Sequence, residues 1–120
     1  MKRIAFLALL ALPACTSVVA APTGPAALGQ VTAVEGVQVR PLDLLEDSRC
    51  PASVQCVWAG QVRIRAQVTD QKGRQVREMT LSTPIPVSGG TLTLVDVQPR
   101  KLTAGSTDRS QYRFAFRFER

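Results

Sequence analysis

The sequence predicts an all-β fold, a single antiparallel β-sandwich of six to seven strands, with a small β-barrel as the alternative. Three observations lead there. Apolar residues beyond position 30 recur every second position and not at the helical spacing. Turn-forming residues punctuate them at roughly 8–12-residue intervals, as in sandwiches and barrels. Beyond the N-terminal segment, no stretch carries a helical pattern.

The elements follow in chain order. Gln30 to Val34 and Val37 to Arg40 read as two strands around a Glu35-Gly36 turn. Val62, Ile64, Ala66 and Val68 alternate with Gln61, Arg63, Arg65 and Gln67, which predicts a half-buried strand with a charged outer face. Asp70-Gln71-Lys72-Gly73 is turn chemistry leading to a partner strand from Gln75 to Leu81. Thr83-Pro84-Ile85-Pro86 is excluded from the middle of a sheet, because neither proline can donate to a ladder.

Gly89-Gly90 opens a strand from Thr91 to Val97, whose apolar parity shifts between Leu94 and Val95, the mark of a bulge or of burial on both faces. Pro99 to Arg109 reads as a polar loop. Tyr112, Phe114, Phe116 and Phe118 then alternate with Arg113, Ala115, Arg117 and Glu119. This last strand holds four of the chain's six aromatic residues and is expected at the centre of the core.

The N-terminus reads as an export signal. Met1-Lys2-Arg3 is a short positive start and Ile4 to Leu12 an unbroken apolar run, about half the ~20 residues a membrane-spanning helix needs. Two processing sites compete over residues 1–20. Leu12-Pro13-Ala14-Cys15 resembles a bacterial lipobox, which would make Cys15 the acylated N-terminus. Val18-Val19-Ala20 offers an ordinary cut before Ala21. Cys50 and Cys56 form a natural pair in an exported chain and leave Cys15 over; acylation removes the odd thiol and so does the cut beyond it, and of the two the lipoprotein is expected. Thr16 follows the cysteine where Gram-negative lipoproteins retained at the inner membrane carry Asp, and that resemblance implies the outer membrane; the alternative is a soluble periplasmic or secreted protein. Residues 21–29, rich in Ala, Pro and Gly and without charge, read as a flexible tether before a domain spanning 30–120.

The most specific stretch is Glu46-Asp47-Ser48-Arg49-Cys50-Pro51 … Cys56-Val57-Trp58-Ala59-Gly60. A Cys50–Cys56 disulfide would close a seven-residue ring, worth about 2 kcal/mol by loop-closure entropy. Trp58, the sole tryptophan, is expected to pack against the disulfide or cap the core, with Gly60 allowing a close backbone approach. This loop resembles the signature of a family of small, exported, largely uncharacterised bacterial proteins, many of them lipoproteins. The resemblance implies an exported β fold and supplies no catalytic residues.

Composition excludes much chemistry. Without histidine there is no Ser-His-Asp or Cys-His catalysis and no imidazole metal ligand. Two cysteines without histidine make a poor zinc set, and five residues between them do not match a Cys-x-x-Cys redox motif. Asp43, Glu46 and Asp47 could be imagined around calcium, but pairing with Arg49 or capping of backbone donors is the expected role. The nine acids show no glycosidase pair, and Lys72 and Lys101 lie in turn- or loop-like stretches. No catalytic residue, metal ligand or cofactor is therefore expected.

Of 15 basic residues, Lys2 and Arg3 leave with the signal, so 13 face nine acids, a net charge of +4. Arg63 and Arg65 share one strand face and Arg113 and Arg117 another. Were those strands neighbours, their guanidiniums would form a patch able to grip an anion. Nucleic acid is not expected, since the aromatics alternate onto the buried face. The sequence thus predicts a non-enzymatic cell-envelope binding or structural module that meets a membrane only through a lipid anchor. Its partner is expected to be an envelope protein or an anionic ligand, met by Arg49, Trp58, Arg63, Arg65, Arg113 or Arg117. The alternative is an inhibitor of an exported hydrolase, acting through the braced 49–56 loop.

Overall fold

The computed structural model describes residues 11–13, 22–100 and 107–120. The export signal, its lipobox cysteine Cys15 and the rival cut before Ala21 fall outside these, save for the exposed residues 11–13. Seven strands form two antiparallel sheets: β1 (Thr32–Val34), β2 (Val37–Asp47), β3 (Val62–Asp70) and β4 (Gly73–Thr80) in one, and β5 (Ile85–Val87), β6 (Gly90–Gln98) and β7 (Arg113–Glu119) in the other. Within each sheet the order follows the sequence, so the chain is a four-strand meander, one crossover and a three-strand meander. The sheets do not close into a barrel. Among the described residues no helix is long and apolar enough to cross a membrane.

Alternation builds the core. Val62, Ile64, Ala66 and Val68 of β3 point inward with Val37 and Val39 of β2 and Met79 of β4. They meet Leu92, Leu94 and Val97 of β6, Phe114 and Phe118 of β7, and Tyr112 just before it. The ladder of β6 slips between Leu94 and Asp96, so a bulge at Val95 lets Leu94 and Val97 both face inward. β5 is an edge strand, which fits Pro86. The aromatic strand β7 packs deep in the core but also lies at a sheet edge, beside β6 alone.

Two expectations need correction. β2 does not end near Arg40 but runs on to Asp47. Its register slips at Pro41/Asp43 and again at Leu44/Glu46, and two irregularities in one strand erase the period that would have revealed it. Residues 22–29 are not a free tether. Ala26 is buried and exchanges two 2.9 Å backbone hydrogen bonds with Phe114. The Gly29 amide donates to the Pro41 carbonyl at 2.6 Å, and Thr32 Oγ1 donates to the Gly24 carbonyl at 2.7 Å. The segment laces the free edge of β7 to the first sheet, and partly buried Leu28 packs on the core. Edge strands need such cover, and composition alone could not show that these neutral residues supply it.

The two ends of the sandwich differ. One gathers tight turns: residues 35–36 with φ of 44° and 87°, residues 71–72, residues 88–89 and the C-terminus. There Asp70 accepts the amides of Lys72 at 2.8 Å and Ser88 at 3.0 Å, joining a turn of each sheet. The Ser88 amide, followed by those of Lys72 and Gly73, lowers the Asp70 pKa. The other end carries the long connection 48–61, the short one 81–84, and residues 99–100 and 107–112 after β6 and before β7.

The Ala26 amide should be protected from hydrogen exchange to a degree comparable with β6 and β7, and a native-state exchange measurement reads this directly. Exchange of Ala26 at the rate of an unstructured peptide would contradict the docked segment.

Candidate functional site

The site is the β2–β3 connection at the long-loop end. Its neck prolongs the ladder of the two strands. The Ser48 amide donates to the Gln61 carbonyl at 2.8 Å, the Gln61 amide to Ser48 Oγ at 3.0 Å, and the Cys50 amide to the Ala59 carbonyl at 3.3 Å. Gly60 makes this closure possible. Its φ is +70°, and a Cβ there would lie 1.8 Å from the Ser48 carbonyl oxygen, so only glycine fits. Above the neck the Cys50–Cys56 disulfide spans a Cα–Cα distance of 5.9 Å and ties off a small lobe. The Val54 amide turns back onto the Pro51 carbonyl at 3.1 Å inside it.

Arg49 holds the lobe to the body. Its Nε and Nη2 donate to the two oxygens of Asp47 at 2.8 and 2.9 Å, a bidentate fork. Nη1 and Nη2 also donate to the carbonyls of Val97 at 2.9 Å and Pro99 at 3.1 Å, at the end of β6 in the opposite sheet. Tyr112 Oη closes the cluster from the head of β7, donating to Asp47 at 2.6 Å. One guanidinium thus joins the loop root, the last residue of β2, the end of β6 and, through Asp47, the start of β7. The Arg49 and Asp47 side chains are only 17% and 8% exposed, which separates this pair from the solvated Arg117–Glu119 pair at 61% each.

The electrostatics follow. The Asp47 carboxyl is held at about 2, chiefly by the hydrogen bond from Arg49 with help from Tyr112, against the opposing pull of burial. Burial first, then its bond to Asp47, raises the Tyr112 phenol, which therefore remains a donor at neutral pH. At the base of the lobe, Glu46 accepts from Gln61 Nε2 at 2.8 Å and Arg63 Nε at 3.0 Å, and these two bonds, in that order, lower its pKa.

The lobe faces solvent. Val57 is 92% exposed, Trp58 83% and Val54 48%. This corrects the expectation that Trp58 packs on the disulfide or caps the core. The core is filled without it, and Trp58 stands beyond the neck with no sheet above it. From Cys50 to Gln61 no residue is charged, so the tip is an apolar knob on a pinned stalk.

The structure does not unite the other predicted binding residues. Arg63 and Arg65 lie on the outer face of β3, and Arg113 and Arg117 on the outer face of β7 in the other sheet, so the four guanidiniums form no common patch. Arg63 is shared by Glu46 and Glu78, Arg117 pairs with Glu119, and Arg113 donates to the carbonyls of Ser110 and Tyr112. Asp43, once imagined around calcium, pairs with Arg109. The pairing of a nearby carboxylate with Arg49 was expected and Asp47 supplies it, but the part of Tyr112 and the reach of Arg49 to the end of β6 were not foreseen. Nothing local could signal Tyr112, which lies 65 positions from Asp47.

Replacing Arg49 by Gln should cost roughly 2–3 kcal/mol in urea unfolding, because a nearly buried carboxylate and two carbonyls lose their donor. The pH dependence has a definite sign. The folded-state pKa of Asp47 lies below its ordinary value, so its stabilisation, on the order of 2 kcal/mol, is complete above about pH 4. It disappears as pH falls through 2, and Asp47→Asn should flatten this acid limb. An unchanged limb would remove Asp47 from the account.

Comparison of the chain with protein-family models, with curated proteins and with solved structures finds no match.

Proposed function

We propose that this chain is an exported, non-enzymatic cell-envelope module that docks a protein partner through the disulfide-braced lobe, with Trp58 as the central anchor. The observation that carries this reading is an almost fully exposed indole beside exposed Val57, on a loop pinned by a disulfide at its tip and a guanidinium clamp at its root. Exposed tryptophan on a preorganised loop is the usual hot-spot chemistry of interfaces. Little ordering entropy is left to lose on binding.

The module is anchored in this reading through an acylated Cys15, at the outer membrane. The anchor meets the sandwich at the end opposite the lobe. The Ala33 amide donates to the Pro22 carbonyl at 2.9 Å, so the chain joins the sandwich near its tight-turn end, away from the lobe. Seven residue steps from Cys15 to Pro22 reach about 25 Å at most. The stretch of β2 from Gln38 to Asp47 alone covers about 30 Å before the lobe begins.

A second reading, inhibition of an exported hydrolase through residues 49–56, draws on the same bracing. In that case the inserting groups are Val54, Val57 and Trp58, because the Arg49 guanidinium is committed to Asp47, Val97 and Pro99.

A photo-crosslinker at position 58 in intact cells should yield a defined adduct that the same probe at Arg117 does not. The identified partner should bind Trp58→Ala at least tenfold more weakly, while the unfolding midpoint of the variant stays within about 0.5 kcal/mol of the parent. Equal affinity of parent and variant would end this assignment, and loss of a hydrolase's activity on binding would select the inhibitor reading. Intact mass decides the anchor: a chain starting at Cys15 with three acyl groups is expected, and one starting at Ala21 would refute the lipoprotein.

A further inference from the structure

The outer face of the four-stranded sheet carries a second feature, unrelated to the lobe. Its side chains stand in cross-strand rows. Gln38, Thr69 and Arg74 form one row across β2, β3 and β4, and Arg40, Gln67 and Val76 form the next. Further along, the rows hold the acids: Glu78 lies opposite Arg65, and Glu46 opposite Arg63. Arg63 is neutralised there by Glu46 and Glu78, and Asp43 is taken by Arg109. The first two rows contain no acid at all. Arg40 and Arg74 form no ion pair among the described residues.

These two arginines stand diagonally across β3, roughly 10 Å apart across the sheet and about 7 Å along it. That is within the combined reach of two arginine side chains. Between them lies a hollow of about 60 Å³ lined by Val31, Gln38, Arg40, Gln67, Thr69 and Arg74. Its polar groups are two guanidiniums, two carboxamides and a hydroxyl, every one able to donate, and no carboxylate lines it. Such a set matches an oxyanion, and two guanidiniums favour a group able to accept bidentately from each side.

We propose that this hollow is a binding site for a phosphate group, held between Arg40 and Arg74 with Gln38, Gln67 and Thr69 as neutral donors. The anion contact is thereby placed at Arg40 and Arg74, which share one hollow and form no ion pair among the described residues, and no longer at Arg63, Arg65, Arg113 and Arg117, which are divided between the two sheets. The phosphate could be a free or monoester phosphate, or the headgroup of an anionic phospholipid; the chemistry is shared, and the test separates the two.

The purified chain is titrated with inorganic phosphate in a low-salt, non-anionic buffer, with sodium chloride at matched ionic strength as reference. Side-chain amide signals of Gln38 and Gln67 report binding. A parallel arm measures co-sedimentation with phosphatidylglycerol and with phosphatidylcholine vesicles. Saturable shifts with phosphate are expected, at least tenfold weaker in Arg40→Gln/Arg74→Gln and unchanged in Arg117→Gln. Arg40→Lys, which keeps charge but not the fork, should fall between. Both exposed arginines form no ion pair or side-chain hydrogen bond among the described residues, so the variants should keep the parent's unfolding midpoint. If only phosphatidylglycerol vesicles bind, and the double variant loses that binding, the source is the headgroup. A phosphate response no different from chloride, together with vesicle binding that is absent or kept by the double variant, overturns the site.

Discussion

The Arg49 guanidinium is the constraint on which the long-loop end depends. A sandwich of two meanders has little covalent reason to hold its loops in one arrangement, because its hairpins are independent. Here one planar fork meets the Asp47 carboxylate and two carbonyls at the end of β6, and Tyr112 adds β7 to the same cluster. The site is dry enough for these bonds to outweigh the solvated ion pairs elsewhere on the surface. At the opposite end Asp70 performs a lighter version of the same task, holding two turns by their backbone amides. The two ends are thus fastened by different chemistry, and only the heavier fastening carries a projecting lobe.

The lobe joins a disulfide staple to an exposed, apolar tip. A seven-residue disulfide ring contributes about 2 kcal/mol on the entropic account, useful to a small core. A purely structural ring would be expected to turn its apolar residues inward. Instead Val57 and Trp58 face water, and every charge is kept out of the tip. An apolar surface braced by a disulfide and left exposed suits the docking role proposed above.

Much of the fold was legible because its signals are local. Strict alternation marked β3 and β7, the parity break marked the bulge at Val95, and prolines demoted β5 to an edge. Two slips in register hid the second half of β2, where local period no longer reports facing. The docking of residues 22–29 was illegible for another reason. Its stability comes from backbone hydrogen bonds to a distant strand edge, to which side-chain patterns are blind. The candidate site divided the same way. Gly60, the disulfide and the importance of the loop could be read from fifteen consecutive residues. The solvent-facing Trp58, the Asp47–Arg49–Tyr112 cluster and the separation of the arginines onto opposite sheets depend on how the two sheets meet.

Arg49 is what should hold the apolar lobe in place while it stands in solvent. Backbone order parameters for residues 50–60, measured in the parent and in Arg49→Gln, test this most directly. Values near 0.85 are expected in the parent, as for strand backbone, with a fall across the lobe in the variant while β3 and β6 keep theirs. Values below about 0.6 in the parent, or a lobe equally rigid without the guanidinium, would contradict it.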